Sequence, residues 1–84
     1  MVTVLKTRQE LKNHVKNHEV VIVKFKAEWC GPCKKVAPHI KTLMEMYNKI
    51  NYVEVDVDDG SNIASYLKIR SIPTIISYVN GDIH

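Results

Sequence analysis

The stretch Trp29-Cys30-Gly31-Pro32-Cys33 holds both cysteines and the only tryptophan of an 84-residue chain. Two thiols three positions apart, with the second on the first turn of a helix, close a disulfide that encloses very little chain. Disulfide stabilisation grows with the length of the enclosed loop, so this bridge would add little to the stability of a fold. A pair with this spacing suits reversible electron exchange. The stretch therefore predicts a redox site.

Length and composition indicate one globular domain over residues 1–84. Hydrophobic residues make up 45% and charged residues 25%, as is usual for such domains. No apolar run approaches the roughly 20 residues of a membrane span, and Met1–Lys6 is too short and too alternating for a signal peptide. Two cysteines in one motif favour an intracellular, cytoplasmic protein. The net charge of +3 comes from scattered lysines, so we expect no nucleic-acid partner and no membrane partner.

Local signals predict a strand–helix alternation. Thr7-Arg8-Gln9-Glu10 fits a capping box that begins a helix running to about Asn17. The unbroken apolar run Val20–Val23 is typical of a strand covered on both faces. The remaining predicted elements are a strand at Val2–Leu5, a helix from about Cys33 to Asn48, a strand at Tyr52–Val57, a short helix after Gly60, a strand at Thr74–Val79 and a hairpin turn at Asn80-Gly81. This order predicts an α/β fold with a mixed sheet of about four strands and about three flanking helices.

The two cysteines differ in their predicted positions. Cys30 precedes the helix beside an exposed loop, where free backbone amides and the helix dipole stabilise a thiolate. Cys33 lies one turn in, where burial keeps it protonated. Cys30 would therefore attack and Cys33 would resolve the mixed disulfide, with Gly31 and Pro32 forming a tight, stiff turn. The alternative is half of a zinc site, which needs about four ligands. It is disfavoured because there is no second cysteine pair and the four histidines form no ligand cluster, so we expect no metal.

The chain resembles the thioredoxin family over nearly its whole length. The matching segments are Ala27–Lys34, Ala37-Pro38, Asp56 or Asp58, Ile72-Pro73-Thr74 and Asn80-Gly81. The resemblance implies a thioredoxin-like fold and a thiol–disulfide oxidoreductase that reduces protein disulfides, with no cofactor beyond the Cys30–Cys33 disulfide. It also implies that thioredoxin reductase, an NADPH-dependent flavoprotein, is the electron donor. Gly31-Pro32 is the pairing of reducing members, which favours a reductase over an oxidase or isomerase.

The resemblance also places substrate contacts. In the family the proline at position Pro73 is cis and lies against the cysteine pair, and its neighbouring backbone pairs with an extended substrate segment. Ile72, Pro73 and Thr74 would then contact substrate together with Trp29. A second hypothesis keeps the fold but uses the surface near Trp29 and Pro73 only to hold a partner. The intact cysteine pair disfavours that hypothesis.

Two positions depart from the family pattern. Members have a buried aspartate six positions before the first cysteine, where this chain has Lys24, and a lysine on the neighbouring strand, where it has Glu54. A lone buried lysine is costly, so we predict an ion pair between the two that tunes the redox site. Glu54 would replace the family's aspartate as proton acceptor for the buried cysteine, while Lys24 would favour a thiolate. Alternatively, Lys24 reaches solvent and Glu54 is a solvated strand residue.

The chain also departs at its end. The family fold continues through a fifth strand and a closing helix, whereas Ile83 barely begins that strand. We therefore expect a C-terminally truncated fold, with the strand around Ile76 at the sheet edge and one face uncovered, which favours self-association. Three explanations stay open: a naturally minimal chain, a shortened form of a longer one, or a partner that supplies the cover.

Overall fold

Strands and helices alternate along the chain as predicted. The computed structural model describes residues 3–47 and 50–83. Its elements are β1 Thr3–Val4, α1 Arg8–Asn17, β2 Val20–Lys26, α2 Gly31–Met46, β3 Asn51–Asp56, α3 Ser61–Tyr66, β4 Thr74–Val79 and β5 Asp82–Ile83. The predicted start of the first strand at Val2 and the predicted end of the second helix at Asn48 lie outside the described residues. Within the described ranges, no helix combines the length and the apolar character that crossing a membrane requires.

The five strands form one mixed sheet in the order β1-β3-β2-β4-β5. Strand β2 is central: it pairs in parallel with β3 and antiparallel with β4. The sheet has one strand more than the four predicted, because the two residues of β5 after the hairpin turn also join it. The register places Lys24 opposite Glu54 on one side and opposite Ile75 on the other. These three side chains therefore share one face of the sheet.

The main core lies on the opposite face of the sheet. Val21, Val23 and Phe25 of β2 are fully buried there and pack with side chains of α1 and α3. Val20 and Ile22, which point the other way, are only half-buried. The structure departs in degree from the prediction that Val20–Val23 is covered on both faces: Val21 and Val23 are fully buried, whereas the face with Val20 and Ile22 is only partly covered. The run is apolar throughout, but only one of its faces meets two helices.

Helix α1 begins with the predicted capping box. The backbone N–H of Glu10 donates to Thr7 Oγ1 at 3.1 Å, and Glu10 Oε1 accepts from the N–H of Thr7 at 2.9 Å. Glu10 Oε1 also accepts from the N–H of Lys6. These hydrogen bonds, with that to Lys6 the strongest cause, hold the pKa of the Glu10 carboxyl below its usual value. The box fixes the start of α1 at the end of β1.

Gly60 and Gly81 are suited to their positions for different reasons. Gly60 precedes α3, and a Cβ built on it would lie 2.8 Å from Cγ1 of Val55, so the loop can pass this close to β3 only with glycine. Asn80 and Gly81 have φ values of 53° and 88°, which a tight two-residue hairpin turn requires. The predicted hairpin is confirmed, with Val79 paired to Asp82 across the turn.

One face of the sheet carries exposed apolar side chains, as the sequence predicts. The prediction that the strand around Ile76 lies at the sheet edge was wrong, because the short strand β5 follows β4 in the sheet and pairs with it at Tyr78 and Val79. On the face shared with Lys24, Ile75 is 47% exposed. Helix α2 also leaves large apolar side chains in solvent, namely Leu43, Met46 and Tyr47. The prediction of an uncovered apolar face is therefore confirmed for the described residues.

Candidate active site

The two cysteines are joined by a disulfide at the junction of β2 and α2. Their Cα atoms lie 5.3 Å apart, within the usual range for a disulfide. Cys30 is the N-cap residue of α2, and its Sγ accepts the backbone N–H of Cys33 at 3.1 Å. The helix begins at Gly31, two residues before the predicted start, because Pro32 is suited to a first turn. The amide and the positive end of the helix dipole are therefore both directed at the sulfur of Cys30.

Both cysteines are buried in the disulfide form. Cys30 is 4% exposed and Cys33 is 3% exposed. They pack with Ala27 and against the partly buried side chains of Val57 and Ile72. Cys30 does lie beside exposed residues, Trp29 and Gly31, as predicted, but its own side chain is buried within this cluster. What distinguishes the cysteines is position: Cys30 caps the helix, and Cys33 lies within it.

An ion pair lies beneath the disulfide. The Nζ of Lys24 is 3.8 Å from Oε2 of Glu54 and donates to the carbonyl oxygen of Cys33 at 3.4 Å. Because the Lys24 side chain is only 4% exposed, it does not reach solvent, and the predicted ion pair is present. A second cation was not predicted: Lys26 Nζ lies 3.8 Å from the other oxygen of Glu54. Lys24 and Lys26 lie two residues apart on β2 and therefore on the same face, and the register with β3 brings both beside Glu54.

A cavity of about 450 Å³ connects this ion pair to Cys33. Its lining residues are Lys24, Lys26, Ala27, Glu28, Cys33, Lys34, Ala37 and Glu54. A volume of this size admits water. Glu54 and Cys33 therefore face the same water-accessible space, with the buried ammonium of Lys24 between β2 and α2. This arrangement can move a proton between the thiol and the carboxylate.

Trp29 stands beside the disulfide and is 68% exposed. Its Nε1 donates to Oδ2 of Asp58 at 3.0 Å. Asp56, at the end of β3, accepts the backbone N–H groups of Asp58 and Asp59 and so orders this loop. The hydrogen bond to the indole was not predicted, although both aspartates were noted among the family positions. It fixes the orientation of an aromatic face in solvent.

The loop before β4, which contains Ile72 and Pro73, packs against the cysteine cluster through Ile72. The Ile72–Pro73 peptide bond is cis, as the family resemblance implied. Ile72 packs against the cysteine cluster, and the hydroxyl of Thr74 donates to the carbonyl oxygen of Ser71. The structure thus brings Trp29 and Ile72 to the surroundings of the disulfide from separate parts of the chain, and the cis Pro73 directly follows Ile72.

The structure offers no support for a zinc site. Among the residues that it describes, no group of three or more histidine, cysteine, aspartate or glutamate side chains is placed to hold a metal ion. His14 and His18 do come together, with their rings stacked 4.4 Å apart, a contact that their four-residue spacing would have predicted. They lie on α1 and at its C-terminus, and His14 is hydrogen-bonded to Asn51 of β3. This pair belongs to the packing of α1.

Comparisons with known proteins agree with this geometry. The family model described as thioredoxin matches residues 2–84. Thioredoxin 1 of Plasmodium falciparum is 40% identical over 81 residues, covering 96% of this chain and 78% of its own length. Thioredoxin-1 of Saccharomyces cerevisiae is 36% identical over 81 residues, covering 96% and 79%.

Solved structures show the same fold. The oxidised form of mitochondrial thioredoxin 3 from Saccharomyces cerevisiae superimposes with a TM-score of 0.96 at 31% identity. The match covers 99% of this chain and 78% of that one. The family match, the disulfide at the helix start and the cis proline beside it agree with one another. The chain belongs to the thioredoxin family, and its Cys30–Cys33 pair makes it a thiol–disulfide oxidoreductase.

Proposed function

We propose that this protein reduces disulfides in other proteins, with Cys30 attacking and Cys33 resolving. The observation that carries the assignment is the hydrogen bond from the Cys33 amide to Cys30 Sγ at the N-cap of α2. In the reduced protein the same amide stabilises a thiolate on Cys30. No comparable donor is directed at the sulfur of Cys33 among the described hydrogen bonds. The nucleophile is therefore Cys30.

The reaction proceeds by two exchanges. The Cys30 thiolate attacks one sulfur of the substrate disulfide, which forms a mixed disulfide and releases one substrate thiolate. The Cys33 thiol loses its proton and its sulfur attacks Cys30 Sγ, which releases the second substrate thiolate. Two electrons pass to the substrate, and Cys30–Cys33 returns to the disulfide. Gly31 and Pro32, both exposed, keep the turn between the two sulfurs short and stiff.

Lys24 and Glu54 tune the second exchange in this proposal. Glu54 accepts the proton of Cys33 through water in the shared cavity, and the Lys24 ammonium favours negative charge nearby. The test is the rate at which the mixed disulfide resolves, followed against pH in Glu54→Gln and Lys24→Met. Glu54→Gln should slow resolution and alter its pH profile. An unchanged rate and profile in both variants would remove these residues from the mechanism.

Substrate contact is assigned to Trp29, Ile72, Pro73 and Thr74. The exposed indole and Ile72, which precedes the cis proline, line one pocket beside the disulfide. An extended substrate segment can lie between them and pair with the backbone at Pro73. Thioredoxin reductase is the proposed electron donor, and the cytoplasm is the proposed compartment, since both cysteines serve the redox site.

Self-association is proposed for the 84-residue chain through the exposed edge of the sheet and its uncovered apolar face. Sedimentation over a range of protein concentrations tests it. A molecular mass that stays monomeric at every concentration would contradict this part of the proposal.

The central experiment is insulin reduction with dithiothreitol. Wild type should accelerate the precipitation of insulin chains, and Cys30→Ser should abolish this. Cys33→Ser should form a mixed disulfide that survives gel electrophoresis without reductant, whereas Cys30→Ser should form none. Equilibration with glutathione then separates a reductase from an oxidase or isomerase. A protein that binds partners but reduces none would point to a binding module and would refute the proposal.

A further inference from the structure

A pocket of about 370 Å³ adjoins the redox disulfide on the side away from the ion pair. The residues that line it are Trp29, Val57, Ile69, Arg70, Ser71 and Ile72. Val57 and Ile72 also pack against the cysteine cluster, so the pocket shares two walls with the disulfide. Its volume falls in the range of sites that hold a side chain or small ligand. A substrate segment that reaches the Cys30 sulfur therefore passes the mouth of this pocket.

Arg70 is the charged side chain of this pocket; the other described lining residues are aromatic, aliphatic or, in one case, a serine. Both ion pairs found within residues 3–47 and 50–83 belong to Glu54, so no described carboxylate lies within ion-pair distance of the Arg70 guanidinium. The nearby carboxylate of Asp58 accepts the indole N–H and does not line the pocket. The exposed Arg70 guanidinium, with no carboxylate of the described residues within ion-pair distance, thus lies at the rim of an apolar wall.

We propose that Arg70 selects substrates with an acidic residue beside the reacting cysteine, with an apolar neighbour that fills the pocket. This inference rests on the proposed reduction of protein disulfides and names the class of substrate for that site. A guanidinium offers paired N–H donors that match the two oxygens of a carboxylate. The apolar wall formed by Trp29 and Ile72 receives the neighbouring side chain and excludes water from one side of the pair. A lysine at the same substrate position meets repulsion instead.

The position of Arg70 at the rim determines how its preference for acidic substrates would be measured. Charges at the rim of an interface act mainly on the rate of encounter and on the rejection of wrong partners. The selectivity should therefore appear in kcat/KM and should weaken as salt screens the charges. Arg70 acts here on specificity and takes no part in the sulfur exchange.

The test uses two synthetic peptides, each with one internal disulfide, that differ only in Glu or Lys beside one cysteine. The ratio of their kcat/KM values is measured for wild type, Arg70→Gln and Arg70→Glu. Wild type should favour the Glu peptide, Arg70→Gln should bring the ratio close to one, and Arg70→Glu should favour the Lys peptide. The swing between wild type and Arg70→Glu should be roughly tenfold, as expected for one rim contact changed from attraction to repulsion. The matched control is Lys12→Glu, an equal change of charge on the exposed side of α1, which should keep the wild-type ratio.

The ratio is an internal measure, so a variant with less total activity still reports selectivity. If Arg70→Glu keeps the wild-type ratio while wild type reduces both peptides, Arg70 has no part in selection and the proposed function stands. A shift of the ratio in Lys12→Glu as large as in Arg70→Glu would assign the preference to net charge and overturn the role of Arg70. If wild type reduces neither peptide nor insulin, the proposed function fails, and the inference falls with it.

Discussion

Glu54→Gln should destabilise the protein far more than Lys24→Met, although the two side chains form one ion pair. Removing the carboxylate leaves the ammonium of Lys24 with the carbonyl oxygen of Cys33 at 3.4 Å and almost no solvent, since its side chain is 4% exposed. Removing the ammonium leaves Glu54 with Lys26 at 3.8 Å and 22% exposure. Glu54→Gln therefore leaves a buried ammonium without its carboxylate, whereas Lys24→Met leaves a partly solvated carboxylate that keeps a cation.

The size of the effect follows from this asymmetry. Two unit charges 3.8 Å apart attract by about 4 kcal/mol at the effective dielectric constant of a protein surface. Breaking a buried pair so that one charge stays buried costs about 3–5 kcal/mol. Because Glu54 is partly solvated and Lys24 keeps one hydrogen bond, we expect Glu54→Gln to cost about 2–4 kcal/mol. Lys24→Met should cost less than about 1 kcal/mol, since the remaining carboxylate keeps a cation and water.

The assay is urea unfolding of the oxidised protein, in which both cysteines stay in the disulfide. The free energy of unfolding is compared for wild type, the two single variants and Lys24→Met/Glu54→Gln. The double variant removes both charges and should recover most of the loss seen in Glu54→Gln, because an apolar replacement of a buried pair is often neutral. Lys26→Met is the control: it removes the half-exposed cation and should change stability by less than about 1 kcal/mol.

Two results would refute this reasoning. One is a Glu54→Gln variant as stable as wild type, which would mean that Lys24 is solvated in solution. The other is a double variant no more stable than Glu54→Gln alone, which would mean that the lost stability came from packing and not from the stranded ammonium.

Three further predictions concern single positions. Glu10 has a lowered pKa in the folded protein, so its carboxylate stabilises the fold fully at pH values above its usual pKa of 4.5. This stabilisation is lost as the pH falls through the lower pKa of the folded state. Glu10→Gln should therefore flatten the acid side of the profile of unfolding free energy against pH, and an unchanged profile would contradict the capping role. Gly60→Ala should destabilise by about 1–3 kcal/mol in urea unfolding, because its Cβ would meet Val55, and a neutral result would show that the loop can move away. Asp58→Ala should leave the free energy of unfolding within about 0.5 kcal/mol but increase the mobility of Trp29 in fluorescence anisotropy, whereas an equally rigid indole would mean that packing holds the ring.

The sequence predicted those parts of the fold that local signals determine. The capping box at Thr7 begins α1, and Asn80-Gly81 forms the hairpin turn, because each pattern favours one backbone conformation over a few residues. The spacing of the cysteines likewise predicted their disulfide. Residue type and period were sufficient for these elements, since their partners lie within four positions along the chain.

What the sequence missed depends on segments that meet only in the folded chain. Val57 packs against the cysteine cluster, and nothing at its position in the sequence indicates that contact. The second ion pair of Glu54, with Lys26, follows from the register of β2 and β3. The pocket at Arg70 likewise forms only where three separate segments meet, those of Trp29, Val57 and residues 69–72. Exposure and the sharing of charges are tertiary properties, so pattern alone predicts them poorly.

The cavity beneath Cys33 and the pocket at Arg70 have no lining residue in common. A protein that covers Trp29 and Ile72 does not have to cover Lys34 and Ala37, which line the cavity beneath Cys33. Electron transfer and proton transfer would then use different surfaces. Thiol–disulfide exchange would occur on the surface with Trp29 and Ile72, and proton exchange with solvent would occur through the cavity lined by Lys34 and Ala37. Cys33 would then lose its proton to solvent while a large partner is still bound. The lifetime of the mixed disulfide would therefore not depend on how tightly the partner binds.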